Sequence, residues 1–488
     1  MRDVPLSRST LDELRRERAP QAQPAPPARD PQSTQIARLQ QSAGNAAVGR
    51  VLSRRAKPGG PQIARYDSFE HAKAGDKAPG SQTVKIAGET VTSGEINALA
   101  DLYGSPEELA KANPAELKTV LGLVRDQVAG KAVREDQWDT ATGGRYTKLA
   151  MANSPHFGPG NPAVIAPAAG APAAGADNRS MFLKYFTDTV AANHAATAAS
   201  EPAATQAARD RAVINAGFAE HYLMDTFSAG HLFNKDDFLG RLRANLGKLA
   251  QDKLDDLFET VARGVLANKD AKALLGRYEP AAPVAKLGGW RPNFSRHFAL
   301  EHLLAEMYKA PEGKDAIESG LVKAAHDHLS ERDAGGGLQG VEVKNKFETW
   351  ILSGDRTLAT SKDTQRIIEQ ALTKFRQVVA DQQAGFACWA PAGAMRSSTG
   401  NGGAALLARP QAPTGPPMPT AAAIAASAQP VLDLTPVPTD NSTKMIEALV
   451  KRTIDTSGGM QDALIKLMIK ELPGMLEVIK GRGLIREA

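Results

Sequence analysis

An all-α fold is what this chain predicts, and three observations carry that expectation. Of 488 residues, 42% are hydrophobic while Phe, Trp and Tyr total only 5%, with Ala and Leu dominant, a balance that favours helix over strand. Apolar residues recur near every fourth position, as in Phe238, Leu242, Leu246 and Leu249, then Leu254, Leu257, Phe258, Val261 and Val265. Strand-type alternation is confined to Val84 and Ile86 within Thr83 to Ile86 and to Val341-Glu-Val343, too little for a large sheet.

Taken from the start, residues 1–60 predict a disordered basic leader. Pro, Gln, Arg and Ala fill its first part with almost no apolar periodicity. Ten Arg and Lys57 stand against five acidic residues, a net of +6, and since the whole chain carries +5 the remainder is at −1. A nuclease for long substrates is expected to carry positive charge on its folded body, so the charge distribution disfavours a stable nucleic-acid partner. Ile36, Leu39, Val48 and Leu52 predict two short amphipathic segments hinged at Gly44-Asn45. The N-terminus has no apolar core of the secretory-signal type, and no run of about 18 apolar residues suggests a membrane span. A single Cys388 rules out an internal disulfide framework and suits folding in a reducing cytoplasm.

Residues 61–385 are expected to form the helical body, with Asp210 to Leu223 and Thr364 to Gln382 among its helices. Pro159 to Ala176, rich in Pro, Gly and Ala, predicts a surface loop. Residues 386–440 have the Pro, Gly, Ala and Ser content of a linker. Residues 441–488 regain helical periodicity through Ile446, Leu449, Val450 and Ile454, then Leu464, Ile465, Met468 and Leu472, and predict amphipathic helices that dock on the body.

Candidate metal ligands gather in a few places. His221-Tyr-Leu-Met-Asp225-Thr-Phe-Ser-Ala-Gly-His231 sets a His and an Asp one helical turn apart on one face, and its Ser228-Ala229-Gly230 run lets the backbone return His231 toward them. A lone H-x3-D is more often a hydrogen-bonded core pair, so partners decide the matter. His297-Phe-Ala-Leu-Glu301 repeats the one-turn spacing, Ser154-Pro-His156 places a His in a rigid turn, and Phe69-Glu-His71 supplies another. A second metal site at His302 with His326 and His328 is not expected, because His326 and His328 are two apart and diverge around a helix, which favours surface placement or hydrogen bonding.

These motifs resemble those of the zinc-dependent phospholipase C and single-strand nuclease superfamily, all-helical phosphodiesterases with a trinuclear zinc site. The likeness covers roughly residues 65 to 310, strongly around 215 to 235: H-Y-L-x-D followed six residues on by His matches His221, Asp225 and His231. H-x3-E matches His297 and Glu301, the His-Phe turn matches His156, and an early His matches His71. The family's remaining aspartate has two candidates, Asp101, which is preferred, and Asp139. The resemblance implies that Asp225 bridges two ions, that His231, His297 and Glu301 hold another, and that His71, Asp101, His156 and His221 complete the set, with Asp101 also orienting or deprotonating the attacking water. One departure concerns the third ion: secreted relatives begin with a Trp that binds zinc through its amino group and carbonyl, whereas His71 lies about seventy residues inside this chain. Two or three zinc ions are therefore expected. The leader segment Leu39-Gln-Gln-Ser-Ala-Gly44-Asn45-Ala-Ala-Val48-Gly-Arg50 is similar to an element common in proteins encoded with bacterial extracellular contractile injection systems. Together these imply a phospholipase C-like effector made in the bacterial cytoplasm, loaded into the tube or baseplate of an injection particle and delivered to a target cell. A single-strand nuclease and a non-catalytic particle protein on a decayed hydrolase scaffold remain as alternatives.

Overall fold

Helix dominates, as the Ala- and Leu-rich composition requires: among the described residues 72% are helical and 6% are strand, in 16 α-helices. The computed structural model describes residues 68–158, 177–280, 304, 308, 311–330, 340–354, 358–387, 418–456, 458–481 and 485–487, all within one unit spanning Gly60–Ala488. The leader, the loop from Pro159 to Ala176 and the pair His297 and Glu301 lie outside the described residues.

In chain order come α1 (Ser68–Lys77), the hairpin β1 (Thr83–Ile86) and β2 (Glu89–Thr92), α2 (Ser93–Leu99), α3 (Pro106–Ala110), α4 (Pro114–Val128), α5 (Glu135–Ala141) and α6 (Arg145–Met151). A 3-10 turn at Ser154–His156 precedes the long helices α7 (Asn178–Ala198) and α8 (Pro202–Asp225), and another at Ala229–His231 precedes α9 (Lys235–Leu246), α10 (Gln251–Ala267), α11 (Lys269–Leu275) and β3 (Tyr278–Pro280). Then follow α12 (Pro311–Ser330), β4 (Val341–Lys344), β5 (Thr349–Leu352), α13 (Lys362–Ala387), α14 (Ala421–Leu432), β6 (Val437–Pro438), α15 (Asp440–Thr453), α16 (Gly459–Gly481) and β7 (Ile485–Glu487).

The sheets are small and antiparallel: β1 with β2, β3 with β7, and β5-β4-β6. Both strand pieces expected from alternation are present, and each buries its apolar face, Val84 and Ile86 in β1 and Val341 and Val343 in β4.

Helix α8 occupies the centre. From Phe218 to Asp225 every residue is buried, so no polar stripe distinguishes its faces, the pattern of a helix enclosed on all sides. Its aromatic residues meet α7, with Tyr185 5.5 Å from the Phe218 ring and 5.7 Å from that of Tyr222, and Phe375 of α13 closes on Phe182 and Phe186 at 5.6 and 5.8 Å.

Helices α1 and α2 approach closely because glycines face each other. A Cβ at Gly75 would lie 2.7 Å from the Gly94 Cα, and one at Gly94 would lie 2.1 Å from the backbone oxygen of Ala72. Main chain cannot yield as a side chain does, so Gly94→Ala is expected to cost about 1–3 kcal/mol of unfolding free energy, measured by urea denaturation. An unchanged denaturation midpoint would show that the helices tolerate separation.

The Pro- and Ala-rich span read as linker is narrower than its composition suggests. Its second half holds α14, capped by Thr420 and burying Ile424, Ala428 and Val431, and β6, which pairs with β4. Alanine's helix preference outweighs Pro430, which sits in the last turn. Near the C-terminus, α16 packs on α10 and α12. Among the described residues no helix is long and apolar enough to cross a membrane.

Candidate metal centre

Six of the eight candidate ligands converge in the core: His71, Asp101, His156, His221, Asp225 and His231. All are buried, with His156 the most accessible at 6%. His71 sits on the buried face of α1. Asp101 follows the last turn of α2, where the Leu102 and Tyr103 amides both bond back to the Leu99 carbonyl. Asp139, the second candidate for the aspartate, lies half-buried on α5 and outside the ligand groupings.

His156 ends the 3-10 turn that begins at Ser154 and includes Pro155, and its carbonyl accepts from Asn178 Nδ2 at 3.2 Å. His221 and Asp225 occupy the last turn of α8, as their one-turn spacing requires. After Thr226 the chain breaks at extended Ser228 and re-coils, and Ala229 N–H is anchored on the Ser353 carbonyl at 3.2 Å. The two His-bearing turns are joined directly: Gly158 N–H donates to His231 O at 2.6 Å, and a Cβ at Gly158 would fall 2.8 Å from that oxygen.

Asp225 stands at the middle. Its Oδ2 is 2.8 Å from His156 Nδ1 and 3.4 Å from His221 Nε2, while its Oδ1 is 3.6 Å from His71 Nε2 and 3.5 Å from His231 Nδ1. Asp101 Oδ1 faces the first pair at 4.0 Å from His156 and 3.7 Å from His221. His221 Nε2 and His156 Nδ1 are 3.1 Å apart, nitrogen facing nitrogen.

These spacings match a coordination shell. Ligand atoms at zinc–nitrogen and zinc–oxygen bond lengths in a tetrahedron lie about 3.3 Å from one another. The triads His71–Asp101–His221 and His156–His221–Asp225 each bring their ligand atoms within 4.8 Å. With two carboxylates among four imidazoles in a buried site, the donor set suits a borderline divalent cation such as zinc. The residues therefore fit a divalent metal, and Asp225 turns one carboxylate oxygen toward His156 and His221 and the other toward His71 and His231.

Several supporting residues were not visible in the sequence. Glu220, next to His221, is gripped by Arg376 of α13 at 2.7 Å from Nε to Oε1 and 2.8 Å from Nη2 to Oε2. The same guanidinium donates to the Ala78, Pro79 and Gly75 carbonyls at 2.5, 3.2 and 2.7 Å, tying the end of α1 to α8. Burial pushes the Glu220 carboxyl above its ordinary range, and the Arg376 guanidinium pulls against that.

His326 makes the hydrogen bond expected of it and stays outside the ligand groupings, but it is buried and lies against the centre. It is buried on α12, its ring 5.2 Å from that of His231 and 6.2 Å from that of Phe157, and its Nδ1 is 3.3 Å from Asp327 Oδ1. A Cβ at Gly230 would lie 2.4 Å from His326 Nε2. His326 and His328 do diverge, and it is the first that falls on the apolar stripe of Val322, Ala325 and Leu329, a signal present in the sequence.

Beside His231 a cavity of about 520 Å³ opens between α9 and the β6–α15 segment. Phe233, Phe238, Ile446 and Val450 supply apolar wall, and Arg241, Lys344, Asp237 and Glu447 supply charge of both signs. Burial raises the Asp237 carboxyl above its usual range, with Arg241 opposing. Arg179 fixes the far wall by donating to Thr435 Oγ1 at 3.1 Å and to the Pro436 carbonyl at 3.2 Å.

Comparison of the chain with protein-family models, with curated proteins and with solved structures gives no match.

Proposed function

We propose that this chain is a zinc-dependent phosphodiester hydrolase of phospholipase C type, carried as an effector by a contractile injection system. The observation that carries the reading is Asp225, whose two carboxylate oxygens each face two imidazoles at 2.8–3.6 Å. When bound, close divalent cations supply Lewis-acid binding of the phosphoryl oxygens and a hydroxide near neutral pH. Asp225 and the four histidines would hold the ions, and the packing around these buried side chains fixes their geometry. Asp101, turned toward His156 and His221, orients the attacking water and takes its proton. The cavity beside His231 has a volume within the range of about 300–1,000 Å³ usual for small-molecule sites.

The cavity's chemistry favours a lipid over a nucleic acid. Strand-binding grooves carry positive charge along a track with aromatic platforms, whereas this one mixes cations with carboxylates over apolar wall. Delivery by an injection particle rests on the Gly44-Asn45 leader motif.

The test is hydrolysis by the zinc-loaded full chain of phosphatidylcholine and, separately, of single-stranded DNA. Release of phosphorylated headgroup, abolished by a chelator and restored by zinc, is expected. Cleavage of DNA alone would favour the nuclease alternative, and inactivity on both with little bound metal would favour the particle protein.

A further inference from the structure

Two cations line the cavity beside His231 without forming an ion pair among the described residues. Arg179, in the first turn of α7, directs its guanidinium at neutral oxygens, Thr435 Oγ1 at 3.1 Å and the Pro436 carbonyl at 3.2 Å. Burial pulls that guanidinium below its usual range, and the charge of Asp177 only partly opposes the effect. Lys344, the exposed last residue of β4, pairs in the sheet with Val437, which directly follows Pro436. The stretch Pro436-Val437 thus joins both cations to one edge of the cavity, which it also lines.

The carboxylates of the cavity stand on other elements. Asp237 lies on α9, where Arg241 acts on it, and Asp440 and Glu447 lie on α15. Asp440 is in the first turn of α15, where the helix itself favours an anion. A mostly buried cation that no carboxylate answers is costly unless a ligand answers it. Phe233, Phe238, Ile446 and Val450, all buried, make the remaining wall apolar. An anion carried on an apolar group matches both features, whereas a neutral or cationic ligand leaves Arg179 uncompensated. Two cations, one of them a guanidinium fork, suit a doubly charged phosphate better than a singly charged carboxylate.

We propose that Arg179 and Lys344 form an anion subsite in this cavity, which takes a phosphate monoester carried on an apolar group. The inference rests on the reading above only in taking the cavity for a binding site. Neither cation is a candidate metal ligand, so subsite and hydrolase can fail separately.

The probe is phenylphosphonate, whose carbon–phosphorus bond resists hydrolysis, at a mildly alkaline pH where it is doubly charged. Its binding is read by titration calorimetry on the full chain, zinc-loaded and after chelation, beside Lys344→Gln and Arg179→Gln. Thermal midpoints check folding; the exposed Lys344 site is expected to leave the midpoint unchanged, and it decides alone if Arg179→Gln does not fold. Each variant is expected to lose about tenfold in affinity, with or without zinc. Phenol and benzoate are expected to bind the wild type at least about tenfold more weakly than phenylphosphonate. Wild-type affinity in Lys344→Gln, benzoate or benzyltrimethylammonium binding as tightly as phenylphosphonate, or binding that needs zinc and ignores both substitutions would each overturn the proposal. Binding that depends on both cations in a chain that takes up no metal would uphold the subsite while the hydrolase reading fails.

Discussion

Asp225→Asn is expected to abolish phosphodiester hydrolysis and strip most of the bound metal. Changes outside the coordination shell alone cost about 10–100-fold in metal affinity or activity, so removing a carboxylate that faces His71, His156, His221 and His231 is expected to exceed about 100-fold. The amide keeps the shape of the side chain but cannot bridge two cations as an anion does. Kinetics on a soluble diester, read beside metal content and the circular dichroism spectrum, separate this from misfolding. A folded Asp225→Asn chain with wild-type metal and rate would remove Asp225 from the centre.

Arg376→Ala carries the largest expected loss of stability. The guanidinium is 11% exposed and its Glu220 partner 2%, and removal leaves a buried carboxylate and the carbonyls of the buried Gly75 and Ala78 without this donor. Breaking a pair of this kind costs about 3–5 kcal/mol, whereas replacing both partners by apolar groups of similar volume is far milder. Urea denaturation of Arg376→Ala against the double variant Glu220→Leu, Arg376→Met is expected to show the single change as the worse. A harmless Arg376→Ala would mean that the α1–α8 connection depends on packing alone. Because Glu220 adjoins His221 and Gly75 lies one turn from His71, weaker metal binding is expected to accompany the loss.

The parts of the centre legible in the sequence are those set by local geometry. His221 and Asp225 share a helix face by spacing, and the small residues before His231 allowed the turn that brings it back. The helical body and both short strand pieces followed from periodicity. His71, Asp101 and His156 came from motif resemblance, since no local rule brings residues so far apart in the chain to one point. Arg376 was not legible because its partner is 156 residues away and nothing near it in the chain marks it as buried. His326 and His328 diverge as their two-residue spacing requires, and the burial of His326 follows from the apolar stripe of Val322, Ala325 and Leu329. The linker-like composition of residues 386–440 hides α14 because Ala favours helix while the Pro and Gly around it break helix. Lys344 comes to the stretch that Arg179 holds only because β4 pairs with β6, a pairing that composition does not contain.

The most direct test of the central claim is elemental analysis of the purified full chain beside His221→Ala. Two or three zinc ions per folded wild-type chain, largely lost in the variant, are the predicted result. A folded wild-type chain with almost no bound metal, even after zinc loading, would contradict the account and leave the buried histidines and aspartates as core hydrogen-bonding groups.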